Sequence, residues 1–228
     1  MPELVKAKAP FKFYTRLNLS ELTGLRASTI SQLLELIKTV PGSCIYHHTH
    51  RFLQQHQYLS PESPNDFAYW VTHILGEDVL GEKLSSIDII QFLTINSLRD
   101  KFATTIEAYL NNSLSAKFRF ARDGEEFHFI KSISFILPTN YMVNDLQEFM
   151  DVLKKITIDS IYFHIFEARL RLEKKSNDFS IWIEDEIGDK ELAGNISRLD
   201  PYSYTLEDLR NTMINLINTR ISNSYDKH

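Results

Sequence analysis

The sequence predicts a mainly α fold: two tandem helical units related by a pseudo-twofold axis and packed together, with a small β-hairpin or three-stranded sheet. Three observations predict it. Motifs of the first half return in order in the second. Apolar residues recur at helical spacing through most of both halves. Only a few short stretches alternate as strands do.

The repeat is the strongest of the three. Ile45-Tyr46-His47-His48 returns as Ile161-Tyr162-Phe163-His164. Asn65-Asp66-Phe67-Ala68-Tyr69-Trp70-Val71 returns as Asn177-Asp178-Phe179-Ser180-Ile181-Trp182-Ile183. Leu98-Arg99 returns as Leu209-Arg210, and the spacing between copies hardly drifts. The pattern divides the chain into residues 1–114, a first helical unit, and 115–228, a β-hairpin with a second helical unit. Together they form one compact two-lobed domain.

The elements follow in order. Phe11–Arg16 alternates and reads as a strand, with Phe127–Ser132 as its counterpart. Lys117–Phe120 alternates too, and Asp123-Gly124 supplies a hairpin turn before Phe127. The first helix of each unit carries the stripes Ile30, Leu33, Leu34, Ile37 and Leu146, Phe149, Met150, Leu153. A second helix begins near Ser43 and near Asp159-Ser160, which are good capping residues. A third starts at Asn65-Asp66 and Asn177-Asp178 and ends at Gly76 and Gly188. The last helices, about 97–110 and 206–221, carry Leu98, Phe102, Ile106, Leu110 and Leu209, Met213, Ile217, Ile221.

Composition narrows the function classes. The hydrophobic fraction of 43% and aromatic fraction of 12% belong to a packed globular protein. A formal charge of −5, without a basic cluster, argues against nucleic acid as a partner. Cys44 stands alone, so no internal disulfide is expected, which suits a reducing compartment. No apolar run has bilayer-spanning length and no signal-peptide core is evident, so no membrane partner and a cytoplasmic location are expected.

The repeat also sorts candidate residues. A residue present in both copies more readily serves the fold; a polar residue in only one copy is the better functional candidate. His48/His164, Asp66/Asp178 and Arg99/Arg210 are shared, as are Tyr46/Tyr162 and Asp88/Asp200. They read as caps and buried hydrogen-bond networks. They also admit a pocket at or near the repeat junction in which His48, His164, Arg99 and Arg210 hold a small anionic ligand.

Among one-copy residues, His47, His50 and Gln54 fall on one helical face. Neighbouring imidazoles raise a metal site at His47 and His50, but the spacings of zinc and di-iron helices are missing, and no metal or cofactor is predicted. In the second copy, His164 and Glu167 are i, i+3 neighbours, and Glu167 and Arg171 form an i, i+4 ion pair.

The run Val40–His50, with Gln54-Gln55-His56, Leu59–Glu62 and Asn65–Val71, resembles an uncharacterised bacterial family that carries only a domain-of-unknown-function label. Ile161–Arg171, Asn177–Trp182 and Leu199–Tyr202 agree with it. The resemblance spans nearly the whole chain and implies a bacterial cytosolic protein, without implying an activity.

No acid–base–nucleophile set survives this sorting. The expected function is therefore a non-catalytic binding or regulatory protein, with a small anionic ligand or a protein as its partner. One alternative is a metal-assisted enzyme using His47, His48 and His50. The other is a structural interaction protein that forms a homodimer through its hairpin edge.

Overall fold

The computed structural model describes residues 5–51, 63–173, 175–199 and 205–225. Gln54, His56 and Asp200, singled out from the sequence, lie outside the described residues.

Two long strands, β1 (Phe11–Ala27) and β2 (Phe127–Val143), form a two-stranded antiparallel sheet. Three bonds fix its register. The Thr23 hydroxyl donates to the Phe129 carbonyl at 2.7 Å, the Ser134 hydroxyl to the Asn18 amide oxygen at 2.6 Å, and the Thr139 hydroxyl to the Phe13 carbonyl at 2.8 Å. Positions therefore descend on β1 as they ascend on β2.

The described residues are largely helical, as expected, but the small hairpin or three-stranded sheet of the expected fold is corrected. The sheet joins two 17-residue strands remote in sequence. The stretch expected to open a hairpin does not pair with β2: Lys117 and Phe118 lie in a 3-10 turn, Ser115–Phe118, and Phe120 makes a single bridge to Thr29. Packing explains the choice. Phe127 and Phe129 are buried, whereas Phe118 and Phe120 are 81% and 73% exposed, so pairing there would bury no apolar face.

Contacts divide the chain into two compact units, Asn18–Ser134 and Met1–Leu17 with Phe135–His228. Both divisions fall inside a strand, so each strand contributes a segment to each unit.

In the Asn18–Ser134 unit, α1 (Ile30–Thr39) starts where the Thr29 hydroxyl accepts from the Gln32 N–H at 3.2 Å. Its stripe Ile30, Leu33, Leu34, Ile37 is buried. α2 (Gly42–Tyr46) continues into a π-turn, His47–Arg51. Every residue from Cys44 to His50 is buried, so this helix is enclosed on all sides. α3 (Asp66–His73), α4 (Asp78–Ser85) and α5 (Ile95–Asn112) complete the unit. Phe67 sits at its centre, 5.2 Å from Phe102 and 5.3 Å from Phe127 between ring centroids.

In the second unit, α6 (Leu146–Leu153) presents the stripe Leu146, Phe149, Met150, Leu153 to the core. α7 (Ile158–Tyr162) passes through a π-turn, Phe163–Glu167, into α8 (Ala168–Leu172). Here every residue from Ser160 to Ala168 is buried. α9 (Asp178–Trp182) runs into a further π-turn, Ile183–Ile187, followed by α10 (Lys190–Ser197) and α11 (Leu206–Tyr225). Phe11 and Phe13 of β1 reach into this core and meet Phe149 and Phe179.

Candidate functional site

The site is built around His164. It stands in the π-turn, whose i→i+5 bonding breaks the α-helical stacking of residues three and four apart. The Tyr14 backbone N–H donates to His164 Nε2 at 2.8 Å, and Nδ1 lies 2.7 Å from an Asp178 carboxylate oxygen. An N–H aimed at Nε2 requires a lone pair there, so the hydrogen sits on Nδ1 and the ring is neutral. The Ser160 hydroxyl donates to the Tyr14 carbonyl at 2.6 Å. Both backbone polar groups of Tyr14 are thus held by α7 and its π-turn. Burial holds His164 below the ordinary histidine pKa, against the opposing pull of Asp178.

The Asn18–Ser134 unit contains the same clamp. The Ile130 N–H donates to His48 Nε2 at 3.0 Å, and His48 Nδ1 donates to Asp66 at 2.7 Å. The tryptophans are tied alike: Trp70 Nε1 donates to the Glu125 carbonyl at 2.7 Å, and Trp182 Nε1 to that of Ala9 at 2.9 Å. His48 and His164 therefore each fasten a strand to the first turn of a helix, Asp66 of α3 and Asp178 of α9.

The other sequence candidates separate. Arg99 donates to the Val40 carbonyl at 2.7 Å, and Arg210 donates to that of Ile156 at 2.9 Å; each satisfies backbone at a helix end. His47 Nδ1 meets the Ser132 hydroxyl at 3.1 Å. Burial, reinforced by nearby His48, lowers the His47 pKa to about 4. His50 stacks on Tyr46 at 5.5 Å, with the Thr49 hydroxyl 3.0 Å from its Nδ1. The two rings thus turn to different neighbours. Among the described residues, no cluster of three or more His, Cys, Asp or Glu could hold a metal ion. Cys44 is fully buried, and that burial raises its thiol pKa, which suits packing rather than reactivity.

Glu167 and Arg171 do not pair as α-helical spacing predicts. Glu167 is buried against Arg16 of β1, and Arg171 donates to Asp178 at 2.6 Å. Glu167 and Arg171 stand four apart where the π-turn passes into α8, yet each turns to a partner on another element, Glu167 to β1 and Arg171 to α9. Both nitrogens of His164 are already engaged, and Glu167 is not its partner.

Beside the His164 clamp lies an open groove of about 530 Å³. Phe11, Tyr14, Phe163, Ile181 and Trp182 give it apolar and aromatic walls, and Lys12, Arg171, Asp178, Asp185 and Glu186 bring charge to it. The Arg171 guanidinium lies 4.8 Å from the Phe163 ring centroid while it bonds Asp178. Asp185 and Glu186 stand on the π-turn Ile183–Ile187, which β1's approach anchors: the Lys8 N–H donates to the Glu186 carbonyl at 3.3 Å, and Lys8 Nζ to that of Asp185 at 3.0 Å.

Sequence reasoning missed Lys12, Asp185 and Glu186. A signal for the two acids was present. In register with the Asn-Asp-Phe motif, Glu184-Asp185-Glu186 stand where the first copy has Thr72-His73-Ile74. They are acidic in one copy only.

A family model described as a family of unknown function, DUF5752, matches residues 8–218. No curated protein matches the chain. Among solved structures the chain is similar to that of OrfY from Thermoproteus tenax, at 30% identity and a TM-score of 0.79, over 95% of this chain and 98% of that one.

Proposed function

We propose, for a chain that belongs to the family of unknown function DUF5752, a non-catalytic binding role centred on the groove beside His164. The groove itself carries this reading. Its volume of about 530 Å³ falls in the range of small-molecule sites, and apolar walls with a few fixed polar groups are what such sites use. The groups best suited to acid–base chemistry there are already engaged. His164 is bonded at both nitrogens, and Asp178 accepts from both His164 and Arg171. A pinned Asp–Arg pair beside aromatic walls suits recognition of a ligand better than turnover of one.

Two further inferences accompany the reading. The chain arose by duplication: the paired clamps, Asn caps and tryptophan bonds support this. It works in the cytoplasm, which its single, buried Cys44 thiol supports.

A fragment screen followed by thermal melting tests the binding role. Ile181→Trp places a larger side chain in the groove. We expect some fragments to raise the melting temperature of the wild type and to lose that effect in the variant. Equal shifts in both proteins, or no shift with any fragment, would remove the groove as the binding site.

A further inference from the structure

We propose that the groove in the unit built on α6–α11 takes an organic cation, an ammonium or guanidinium group carried on an apolar, preferably aromatic, body. This deepens the binding role above and rests on it.

Charge is the first support. Arg171 and Asp178 neutralise each other at 2.6 Å, and the His164 ring is neutral because Tyr14 N–H occupies its Nε2. Three charged side chains of the groove then remain: Lys12, Asp185 and Glu186. The bonds that hold the Asp185–Glu186 turn come from Lys8 and go to its carbonyls, not to the carboxylates. Among the residues that line the groove the balance is one excess negative charge, which favours a cation over an anion; the Lys8 ammonium sits outside that lining, on the Asp185 carbonyl.

The walls are the second support. Aromatic rings attract cations through their quadrupole, and Phe11, Tyr14, Phe163 and Trp182 all line the groove. The chain itself demonstrates the fit, since the Arg171 guanidinium already lies against Phe163. A carboxylate or phosphate placed there would meet Lys12 but also two carboxylates, Asp185 and Glu186, and the aromatic walls.

The third support is the comparison of the two copies in sequence. Phe163, Ile181, Asp185 and Glu186 correspond to His47, Tyr69, His73 and Ile74. The acidic, aromatic combination belongs to one copy and is not a requirement of the shared fold.

Calorimetric titration of the full chain with three isosteric probes at neutral pH tests this: phenethylamine, phenethyl alcohol and phenylacetate. We expect phenethylamine to bind about tenfold or more tighter than phenylacetate, with the alcohol between them. In the Asp185→Asn, Glu186→Gln variant the gap should close or reverse, since neutral isosteres keep the shape, remove both negative charges and leave Lys12 as the unpaired charge of the lining. Phenylacetate or the alcohol binding as tightly as the amine would overturn the cation assignment and leave the binding role intact. A gap unchanged in the double variant would also overturn it. Binding of none of the three would also overturn the cation assignment, and the fragment screen then decides the binding role.

Discussion

His164 Nδ1 donates to the Asp178 carboxylate at 2.7 Å, and this bond makes the ring an acceptor at Nε2 for the Tyr14 N–H. One side chain thus joins β1 to the first turn of α9. His164→Phe keeps a ring of similar size but leaves the Tyr14 N–H without its acceptor and Asp178 without one of its donors. We expect a loss of about 2–4 kcal/mol, from unpaired buried groups costing about 1–3 kcal/mol each. Urea unfolding measures it. His48→Phe should cost a similar amount, because it breaks the same pair of bonds to Ile130 and Asp66. A loss below about 1 kcal/mol in both variants would refute the clamp.

Acid should weaken the fold through these rings. Burial makes His47 and His164 harder to protonate folded than unfolded. As pH falls below about 6.5, the unfolded chain takes up protons that the folded chain refuses. The stability contributed by the neutral rings is complete above that pH. It is lost on the way down, toward about 4 for His47. We expect the urea midpoint to drop steadily from pH 7 to pH 5. His47→Phe installs the residue found at the matching position, Phe163, and should make that drop smaller. A drop equal to that of the wild type would show that His47 does not contribute.

The two asparagine caps carry more than a helix end. Asn65 accepts from the Ala68 N–H at 2.9 Å and donates to the Leu84 carbonyl at 3.1 Å. Asn177 accepts from the Ser180 N–H at 2.8 Å and donates to the Ile196 carbonyl at 3.2 Å. Asn177→Ala should cost roughly 2–4 kcal/mol, a cap plus a stranded buried carbonyl. Asn177→Ser retains a capping oxygen and should cost less. Equal costs for Ala and Ser would contradict the capping role.

Gly81 faces a steric limit. A Cβ there would lie 1.8 Å from the Thr72 hydroxyl oxygen and 3.6 Å from the Ala68 carbonyl oxygen. Gly81→Ala should therefore destabilise by about 1–3 kcal/mol, as overpacking does. Adding Thr72→Ala removes the obstructing hydroxyl and should restore most of the loss. Thermal melts of the single and double variants decide the point.

Much of the helical framework was legible because its signals are local. The stripes of α1 and α6 are the buried faces, and Asn65 and Asn177 cap the helices expected to start there. Gly76 and Gly188 take positive φ, 66° and 84°, which glycine alone adopts cheaply. The strands were only half legible. Gly24, at φ 77°, interrupts the alternation of β1, and Pro138 argues against a strand interior. Pro138 is tolerated because each strand of a two-stranded sheet has an open edge. The π-turns left no periodic trace, and partners on β1 and α9 rather than helical spacing decide where Glu167 and Arg171 turn. The groove was hidden for a third reason: Phe11, Lys12 and Tyr14 meet α9 only through folding, from the opposite end of the chain.

The binding role is tested most directly by a two-dimensional NMR titration of isotopically labelled protein with the tightest fragment from the screen. The binding role predicts saturable shifts concentrated on the Trp182 indole N–H, Ile181, Arg171 and the Tyr14 amide. Shifts confined to α4 and α5, with those four signals unmoved at saturation, would contradict it.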